Sequence, residues 1–246
     1  MFKNFFIAVL LFLNLNAFSA PSVIVYDLST NKIVEQMNAF EVRPIASITK
    51  LMTAIVALEY YNLDYKIPLA GKKSVTVSTL LTSLLVRSDN QAAEILAKNY
   101  PGGRSAFITA MNDYASKYHL PNTRFIDPSG LGVFNISSAV EVAGLVYMAS
   151  EYEFIRTVSA QPEIYTVIKT KNGYKEQPVY NHTSKDLLIE YDNILLSKTG
   201  YTSQAGRCIT MLIEKNNQKQ IIVILGEPTK QKRDNLARQL IAQNSL

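Results

Sequence analysis

The spacing of apolar residues constrains the fold more than any other feature of the chain, because it changes twice. Near the N-terminus, apolar segments at 23–26 and 33–37 flank the polar turn 29–32 and predict a β-hairpin. From about Ser47 the spacing is helical, and from Ile164 it returns to that of strands. Because strands at both ends enclose helices, the sequence predicts a mixed α/β (α+β) fold. We expect one antiparallel sheet built from both termini, flanked by helices and with a helical subdomain inserted.

The same patterns predict the individual elements. The predicted helices cover about 47–58, 77–86, 91–98, 104–118, 138–150 and 230–243, and the predicted C-terminal strands cover 164–168, 195–198, 208–214 and 220–225. Asn172-Gly173 and Asn216-Asn217 are typical of tight hairpin turns. A cleft between the sheet and the helical insert is the expected place for a binding site.

The composition excludes several classes of protein. With 48% apolar and 18% charged residues, the 246-residue chain is not intrinsically disordered. Cys208 is the only cysteine, so the sequence allows neither an internal disulfide nor a thiolate metal cluster. His119 and His182 are the only histidines, and we expect no metal site and no cofactor. The net charge is +5, but no run of lysine or arginine exceeds two residues, which argues against nucleic-acid binding.

Residues 1–20 are typical of a secretory signal peptide. Lys3 precedes an apolar run from Phe5 to Leu13, and small residues follow at 17–20, which predicts cleavage after Ser19 or Ala20. The run is shorter than the about 20 residues that a membrane span needs, and no cysteine follows the predicted cut to carry a lipid. A short retained anchor is the alternative. The mature chain is therefore expected to work outside the cytoplasm.

The segment Ser47-Ile48-Thr49-Lys50 places a hydroxyl and an amine three residues apart at the start of a predicted helix, where both share one face. A serine hydroxyl is a good nucleophile only when a base removes its proton. A lysine can be that base if burial or a second cation keeps its amine neutral. The helix N-terminus adds backbone N–H groups near a developing oxyanion. A second copy of this spacing, Ser29-Thr30-Asn31-Lys32, lies in the predicted hairpin turn and is interpreted as solvated turn chemistry.

Two further motifs have simple structural explanations when taken singly. Ser88-Asp89-Asn90 lies between two predicted helices, where a helix cap would explain it. Lys198-Thr199-Gly200 closes an apolar strand, where a turn glycine would explain it. Their joint occurrence with the Ser47 motif, in the order nucleophile helix, insert loop and sheet strand, favours a functional interpretation of all three.

Together the three motifs resemble the signature of the penicillin-binding proteins and class A β-lactamases. The flanking residues, which include 43–54, 87–93, 127–131 and 198–208, are similar to those of the low-molecular-mass serine D-alanyl-D-alanine peptidases, and most similar to the endopeptidase branch. The resemblance implies a β-lactamase/DD-peptidase transpeptidase-like fold. It also implies one catalytic domain over 21–246, with a helical insert at about 62–160. Since little follows the last predicted strand but one helix, we expect neither the C-terminal β-rich domain nor the amphipathic anchor of the carboxypeptidase branch.

The resemblance also implies catalytic roles. Ser47 would be the nucleophile that attacks the carbonyl of a D-alanyl peptide bond, and Lys50 would be its general base. Ser88 would relay a proton to the leaving amine. Lys198 would assist this relay, keep Lys50 neutral through its own charge and attract a substrate carboxylate.

Five other implied roles concern substrate binding. Asn90 would bind the substrate amide and hold the general base, and Thr199 would contact a carboxylate. Gly200 would let the substrate lie against the strand edge. The backbone N–H of Tyr201 would form an oxyanion hole together with that of the nucleophile. Arg207 would add positive charge near the site.

The resemblance implies peptidoglycan stem peptides as substrates, β-lactam antibiotics as inhibitors, and a location in the periplasm after export across the inner membrane, without a stable membrane anchor. Endopeptidase activity on cross-links is the leading hypothesis, and D-alanyl-D-alanine carboxypeptidase activity is the alternative. A β-lactamase would need a second base for deacylation, and Glu141 is instead assigned to a capping box with Ser138. A catalytic triad of serine with His182 and Asp192 is disfavoured because a lysine already provides the base. The complete set of catalytic residue types also disfavours a catalytically silent wall-binding protein.

Overall fold

The computed structural model describes residues 20–69, 73–170, 173–181 and 184–243. The predicted signal peptide therefore lies outside the described residues except for Ala20, and so do His182 and Asn172 of the predicted 172–173 turn. Within the described ranges, none of the helices combines the length and the apolar content that crossing a membrane would require.

An antiparallel sheet joins the two ends of the described chain. Its strands are β1 (Ser22–Asp27), β2 (Lys32–Met37), β9 (Ile194–Thr202), β10 (Gly206–Lys215) and β11 (Gln218–Glu227). Their order is β2-β1-β11-β10-β9, so the N-terminal hairpin pairs with the C-terminal strands through β1 and β11. The predicted turn at Asn216-Asn217 forms between β10 and β11, with positive φ angles of 51° and 62°. The predicted sheet from both termini is confirmed.

Helices cover both faces of this sheet. Successive side chains of a strand point to opposite faces, so one strand contributes to two hydrophobic cores. Val23 and Val25 of β1 pack with the C-terminal helix, whereas Ile24 between them packs with the central helices. The helices are α1 (Lys50–Tyr60), α2 (Val77–Val86), α3 (Asn90–Lys98), α4 (Gly103–Lys117), α5 (Ala139–Ser150), α6 (Glu153–Ser159), α7 (Lys185–Glu190) and α8 (Lys230–Gln243). α1 is buried from Lys50 to Ala57, which places the predicted nucleophile helix inside the molecule.

Several short elements were not predicted. They are the strand pairs β3 (Arg43–Pro44) with β6 (Ile136–Ser137) and β4 (Lys66–Leu69) with β5 (Lys73–Thr76), together with α6 and α7. The predicted strand at 164–168 is longer, as β7 (Glu163–Thr170), and pairs with β8 (Gly173–Tyr180). These elements are too short, or too polar on both faces, for a repeated apolar spacing to indicate them.

The predicted capping box of α5 is half correct. Ser138 accepts a hydrogen bond from the backbone N–H of Glu141, as expected for an N-cap. The Glu141 carboxylate is instead bound by the backbone N–H and side chain of Asn122 and by the hydroxyl of Thr123. Glu141 therefore fixes the loop after α4, a role that the local sequence spacing does not indicate.

Candidate active site

Ser47 lies in a 3-10 turn, Ala46–Thr49, that leads directly into α1. The helix was predicted to begin near Ser47, and the α-helical part begins three residues later, at Lys50. Ala46 adopts a positive φ of 46°, which is rare for a residue with a side chain. Such a conformation persists only where the surroundings impose it. The chain around residue 47 is therefore held in place by its neighbours.

The Lys50 side chain is fully buried and makes three hydrogen bonds. Its Nζ lies 2.9 Å from Ser47 Oγ, 2.7 Å from Asn90 Oδ1 and 2.6 Å from the backbone oxygen of Ser129. The last two atoms are obligate acceptors, whereas the serine hydroxyl can donate. A neutral amine has two N–H groups and one lone pair. The arrangement therefore fits an amine that donates to Asn90 and Ser129 and accepts the proton of Ser47.

The surroundings of Lys50 favour this neutral form. Burial lowers the pKa of Lys50 to about 8, because a charged amine loses its hydration inside the protein. The negative charges of Asp127 and Asp89 act in the opposite direction and limit the shift. With this pKa, about a tenth of the amine is neutral at pH 7 and about half at pH 8, so the base becomes available on the alkaline side of neutrality.

The segment 88–90 combines a helix cap with two site residues. Asp89 is the N-cap of α3, and its carboxylate accepts hydrogen bonds from the backbone N–H groups of Gln91 and Ala92. Ser88 has a positive φ of 56° and accepts a hydrogen bond from Lys198 Nζ at 3.0 Å. Asn90 holds Lys50, as described above. The cap explanation is confirmed for Asp89, while Ser88 and Asn90 contact the two buried lysines.

Lys198 lies on β9, which is at the edge of the described sheet. Its side chain is fully buried, and Nζ donates to Ser88 Oγ at 3.0 Å and to the backbone oxygen of Thr199 at 2.9 Å. Burial, together with the nearby charges of Lys50 and Arg233, lowers the pKa of Lys198 well below its usual range. Two buried amines thus share one crevice, and a charge on Lys50 makes Lys198 a stronger acid.

Gly200 is required by the chain itself. A Cβ at this position would lie 2.9 Å from the backbone oxygen of Ile45, 2.9 Å from the backbone nitrogen of Ser47 and 3.1 Å from Ala46 Cβ. Gly200 was expected to leave room for substrate. Instead, the turn that carries Ser47 occupies the space where a Cβ of residue 200 would lie, so the stated reason for the glycine is wrong. The contact brings the backbone of β9 next to the backbone N–H of Ser47.

Replacing Gly200 by alanine is expected to displace the nucleophile turn. The new methyl group would press on backbone atoms, so we expect a loss of about 1–3 kcal/mol in the free energy of unfolding. A shift of about 1 Å at Ser47 would slow acylation by roughly 100-fold. Gly144→Ala is the matched control, because its Cβ would meet only the end of the Leu120 side chain, at 3.0 Å. Thermal unfolding and the acylation rate of both variants test this expectation, which fails if Gly200→Ala behaves like the control.

The remaining predicted residues line the outer end of β9 and β10. Tyr201 is 51% exposed, and the guanidinium of Arg207 lies over its ring at 3.5 Å from the centroid. The two residues are cross-strand neighbours. Thr199 is buried beside Lys198, with 9% of its surface exposed. The described structure thus places all nine predicted site residues on the 3-10 turn, α1, the segment 88–90 and the end of the β9–β10 pair.

Sequence reasoning missed the loop that completes the site. The loop after α4 brings the backbone oxygen of Ser129 to Lys50 and that of Pro128 to the Thr53 hydroxyl, at 2.5 Å. The carboxylate of Asp127 holds this loop together. The segment 127–131 is part of the family resemblance, but main-chain acceptors leave no signature in a sequence.

Other candidate residues lie outside this arrangement. Cys208 is fully buried, and burial raises the pKa of its thiol to about 11, so it is not a reactive thiolate.

The second Ser-x-x-Lys segment lies in the first hairpin, where Ser29 and Lys32 are both exposed. The backbone N–H groups of Ser29 and Thr30 donate to Asp27. This copy is turn chemistry, as predicted.

Comparisons with known proteins show which family this chain resembles. A family model described as D-alanyl-D-alanine carboxypeptidase matches residues 13–64 and 60–229. The D-alanyl-D-alanine endopeptidase of Escherichia coli is 35% identical over 228 residues, which cover 84% of this chain and 71% of that protein. The D-alanyl-D-alanine endopeptidase of Pseudomonas aeruginosa is 34% identical over 226 residues, with the same coverage of 84% and 71%.

A solved structure supports the same assignment. Penicillin-binding protein D2 of Listeria monocytogenes, in its cefotaxime-bound form, is 26% identical, with a TM-score of 0.76 over 90% of this chain and 95% of that one. The family match covers most of the chain, and the predicted β-lactamase/DD-peptidase transpeptidase-like fold is confirmed. This chain is therefore a member of the D-alanyl-D-alanine carboxypeptidase family of serine peptidases.

Proposed function

We propose that this protein is a peptidoglycan DD-peptidase that hydrolyses D-alanyl peptide bonds through an acyl-enzyme on Ser47, with the cross-links between stem peptides as its substrate. The observation that carries the proposal is the hydrogen-bonding of Lys50, whose two other acceptors leave its lone pair for the Ser47 hydroxyl. A buried, neutral amine at this distance is the base that serine chemistry needs.

Acylation begins with the transfer of the Ser47 hydroxyl proton to Lys50 Nζ. The serine oxygen attacks the carbonyl carbon of the D-alanyl bond, and the carbonyl oxygen becomes an oxyanion. The backbone N–H groups of Ser47 and Tyr201 would stabilise this charge, since the contact at Gly200 brings the two segments together. Preorganised donors of this kind cost no reorganisation during the reaction.

The bond to the leaving amine then breaks, and the amine needs a proton. Ser88 gives its hydroxyl proton to the nitrogen and receives one from Lys198, to which it is already hydrogen-bonded. The new charge on Lys50 promotes this transfer, because the charge of Lys50 lowers the pKa of Lys198. At the end of acylation Lys50 carries a proton and Lys198 has lost one.

Deacylation reverses both transfers. Water loses a proton through Ser88 to Lys198 and attacks the acyl carbon, and Lys50 returns its proton to the departing oxygen of Ser47. The net reaction adds one water to one peptide bond and restores both lysines. The roles of Ser47, Lys50 and Ser88 are thus catalytic in this proposal, and both lysines change charge within each cycle.

The edge of β9 would bind the extended substrate as an additional strand. Asn90 and Thr199 would contact the substrate amide and carboxylate. Arg207, which is half-buried against the Tyr201 ring, would supply a positive charge for an anionic group. The preference for cross-links rests on the two endopeptidases that share about a third of their residues with this chain.

Two further parts of the proposal concern the whole protein. Residues 1–20 would direct export across the inner membrane into the periplasm, and residues 21–246 would form the catalytic domain, with the helical insert at about 62–160. β-Lactam antibiotics would inhibit the enzyme by acylating Ser47, which the cefotaxime-bound relative supports.

Product analysis distinguishes endopeptidase from carboxypeptidase. The mature protein is incubated separately with purified cross-linked muropeptide dimers and with pentapeptide monomers, and the products are separated by liquid chromatography and identified by mass. We expect dimers to be converted to monomers by the wild type and by the exposed-turn control Ser29→Ala, and not by Ser47→Ala. Release of terminal D-alanine alone, with the dimers intact, would contradict the endopeptidase proposal and support the carboxypeptidase alternative.

A further inference from the structure

The carboxylate of Asp127 is the centre of the loop that follows α4. It is buried, with 8% of the residue exposed. One oxygen accepts hydrogen bonds from the backbone N–H and hydroxyl of Ser129 and from the backbone N–H of Gly130, at 2.7–2.8 Å. The other accepts from the backbone N–H of Gly132 at 2.7 Å and from Asn135 Nδ2 at 2.6 Å. Five donors of one loop thus converge on a single side chain.

The same loop is attached to the nucleophile helix by its backbone. The carbonyl of Ser129 accepts from Lys50 Nζ at 2.6 Å, and that of Pro128 accepts from the Thr53 hydroxyl, one turn further along α1, at 2.5 Å. Gly130 has a φ of +83°, and a Cβ there would lie 1.9 Å from the backbone oxygen of Ala46. The loop therefore fits against the turn that carries Ser47 with no space to move inward.

We propose that Asp127 is a positioning residue for the general base: by folding the 127–135 loop, it holds the Ser129 carbonyl against Lys50 and so keeps the lysine lone pair directed at Ser47. The inference rests on the proposed function of Lys50. If the Ser129 carbonyl moved away, the amine could rotate and offer an N–H instead of its lone pair to the serine. Asp127 itself touches neither substrate nor nucleophile.

The charge of Asp127 has a second effect on the same amine. It raises the pKa of Lys50 and so makes the neutral amine a stronger base. The other charged groups that face Lys50 are Asp89, before α3, which also raises its pKa, and Lys198 on β9. Arg104, ion-paired with Glu94, interacts with Asp127 from α4. Removal of the negative charge at Asp127 is therefore expected to lower the pKa of Lys50.

A purely structural loop cap would have different consequences. Loss of such a cap would lower the melting temperature and would reduce the active fraction equally at every pH. A positioning residue changes the rate of the folded enzyme. In addition, the pH at which the acylation rate reaches half its plateau moves to lower values, because the base loses its proton at lower pH.

The test compares Asp127→Asn with Asp113→Asn, a matched loss of one carboxylate charge on the exposed face of α4. The rate of acylation by a fluorescent penicillin is measured across pH for the mature protein, with the melting temperature of each variant. We expect Asp127→Asn to lower the plateau rate roughly 10- to 100-fold and to shift the midpoint to lower pH. We expect Asp113→Asn to match the wild type. An unchanged plateau and midpoint in a folded Asp127→Asn would overturn the inference.

A second variant keeps the test decisive if Asp127→Asn does not fold. Thr53→Val removes the hydroxyl that holds the Pro128 carbonyl and retains the charge of Asp127. We expect slower acylation with an unshifted pH midpoint, and a wild-type rate would overturn the inference. Failure of the wild type to react with penicillin at all would instead contradict the proposed function, so the two failures are distinguishable.

Discussion

Replacement of Ser47 by alanine is expected to abolish both penicillin labelling and cleavage of peptidoglycan cross-links. Without the hydroxyl no acyl-enzyme can form, and loss of a serine nucleophile lowers turnover by about a millionfold in a well-studied serine protease. The protein should still fold, because Lys50 keeps its hydrogen bonds to Asn90 and to the Ser129 carbonyl. We expect a change of about 1 kcal/mol or less in the free energy of unfolding. Gel fluorescence and the dimer cleavage assay measure the loss.

The second Ser-x-x-Lys segment, residues 29–32, provides the matched control for this variant. Ser29→Ala removes a hydroxyl from an exposed turn and should leave labelling, turnover and melting temperature unchanged. If Ser47→Ala were still labelled, or if Ser29→Ala lost its label, the nucleophile would not be the residue proposed.

Replacement of Lys50 by methionine is expected to slow acylation about 1,000- to 10,000-fold, the contribution typical of a general base in its upper range. Methionine fills a similar apolar volume without a charge, and removal of a buried amine can be neutral for stability. Asn90 and the Ser129 carbonyl each lose the hydrogen bond that Lys50 donates. Because of this loss, we expect the melting temperature to fall by a few degrees. Stopped-flow or manual sampling of penicillin acylation measures the effect.

The pH dependence adds a second test of the same residue. The base must be neutral, so the wild-type acylation rate should rise with pH as Lys50 loses its proton, and its pKa is lowered by burial to about 8. This rise should be absent from the residual activity of Lys50→Met. Lys32→Met, in the exposed second copy of the motif, should keep the wild-type profile. A Lys50→Met variant that retained the wild-type rise would assign the base to another group.

The sheet and its long helices could be predicted from the sequence because their burial leaves a regular pattern of apolar residues, with helical spacing in the helices and unbroken runs in strands buried on both faces. The residues Ile221 to Leu225 form a continuous apolar run because β11 has a helical layer on each face. The last helix begins at Lys230 and ends at Gln243, as predicted. α6 and α7 were missed because each has only two or three buried residues, which is too few to establish a period.

The active-site side chains could be predicted because each belongs to a short motif. The environment that makes them reactive could not. Lys50 is held by the Ser129 carbonyl, Ser47 lies after a residue with positive φ, and Gly200 is needed where two backbones meet. These are properties of the main chain and of contacts between distant segments. The family resemblance implied that the charge of Lys198 keeps Lys50 neutral, whereas burial is the main cause of the lowered pKa of Lys50.

The central claim is that one hydroxyl, that of Ser47, forms the covalent intermediate. Its most direct test is to locate the penicillin adduct by digestion with trypsin and mass spectrometry. The claim predicts an added penicilloyl mass on the peptide 33–50, released by cleavage after Lys32 and Lys50, with fragment ions that place the mass on Ser47. An adduct on any other peptide, or on Thr49 within this one, would contradict the claim.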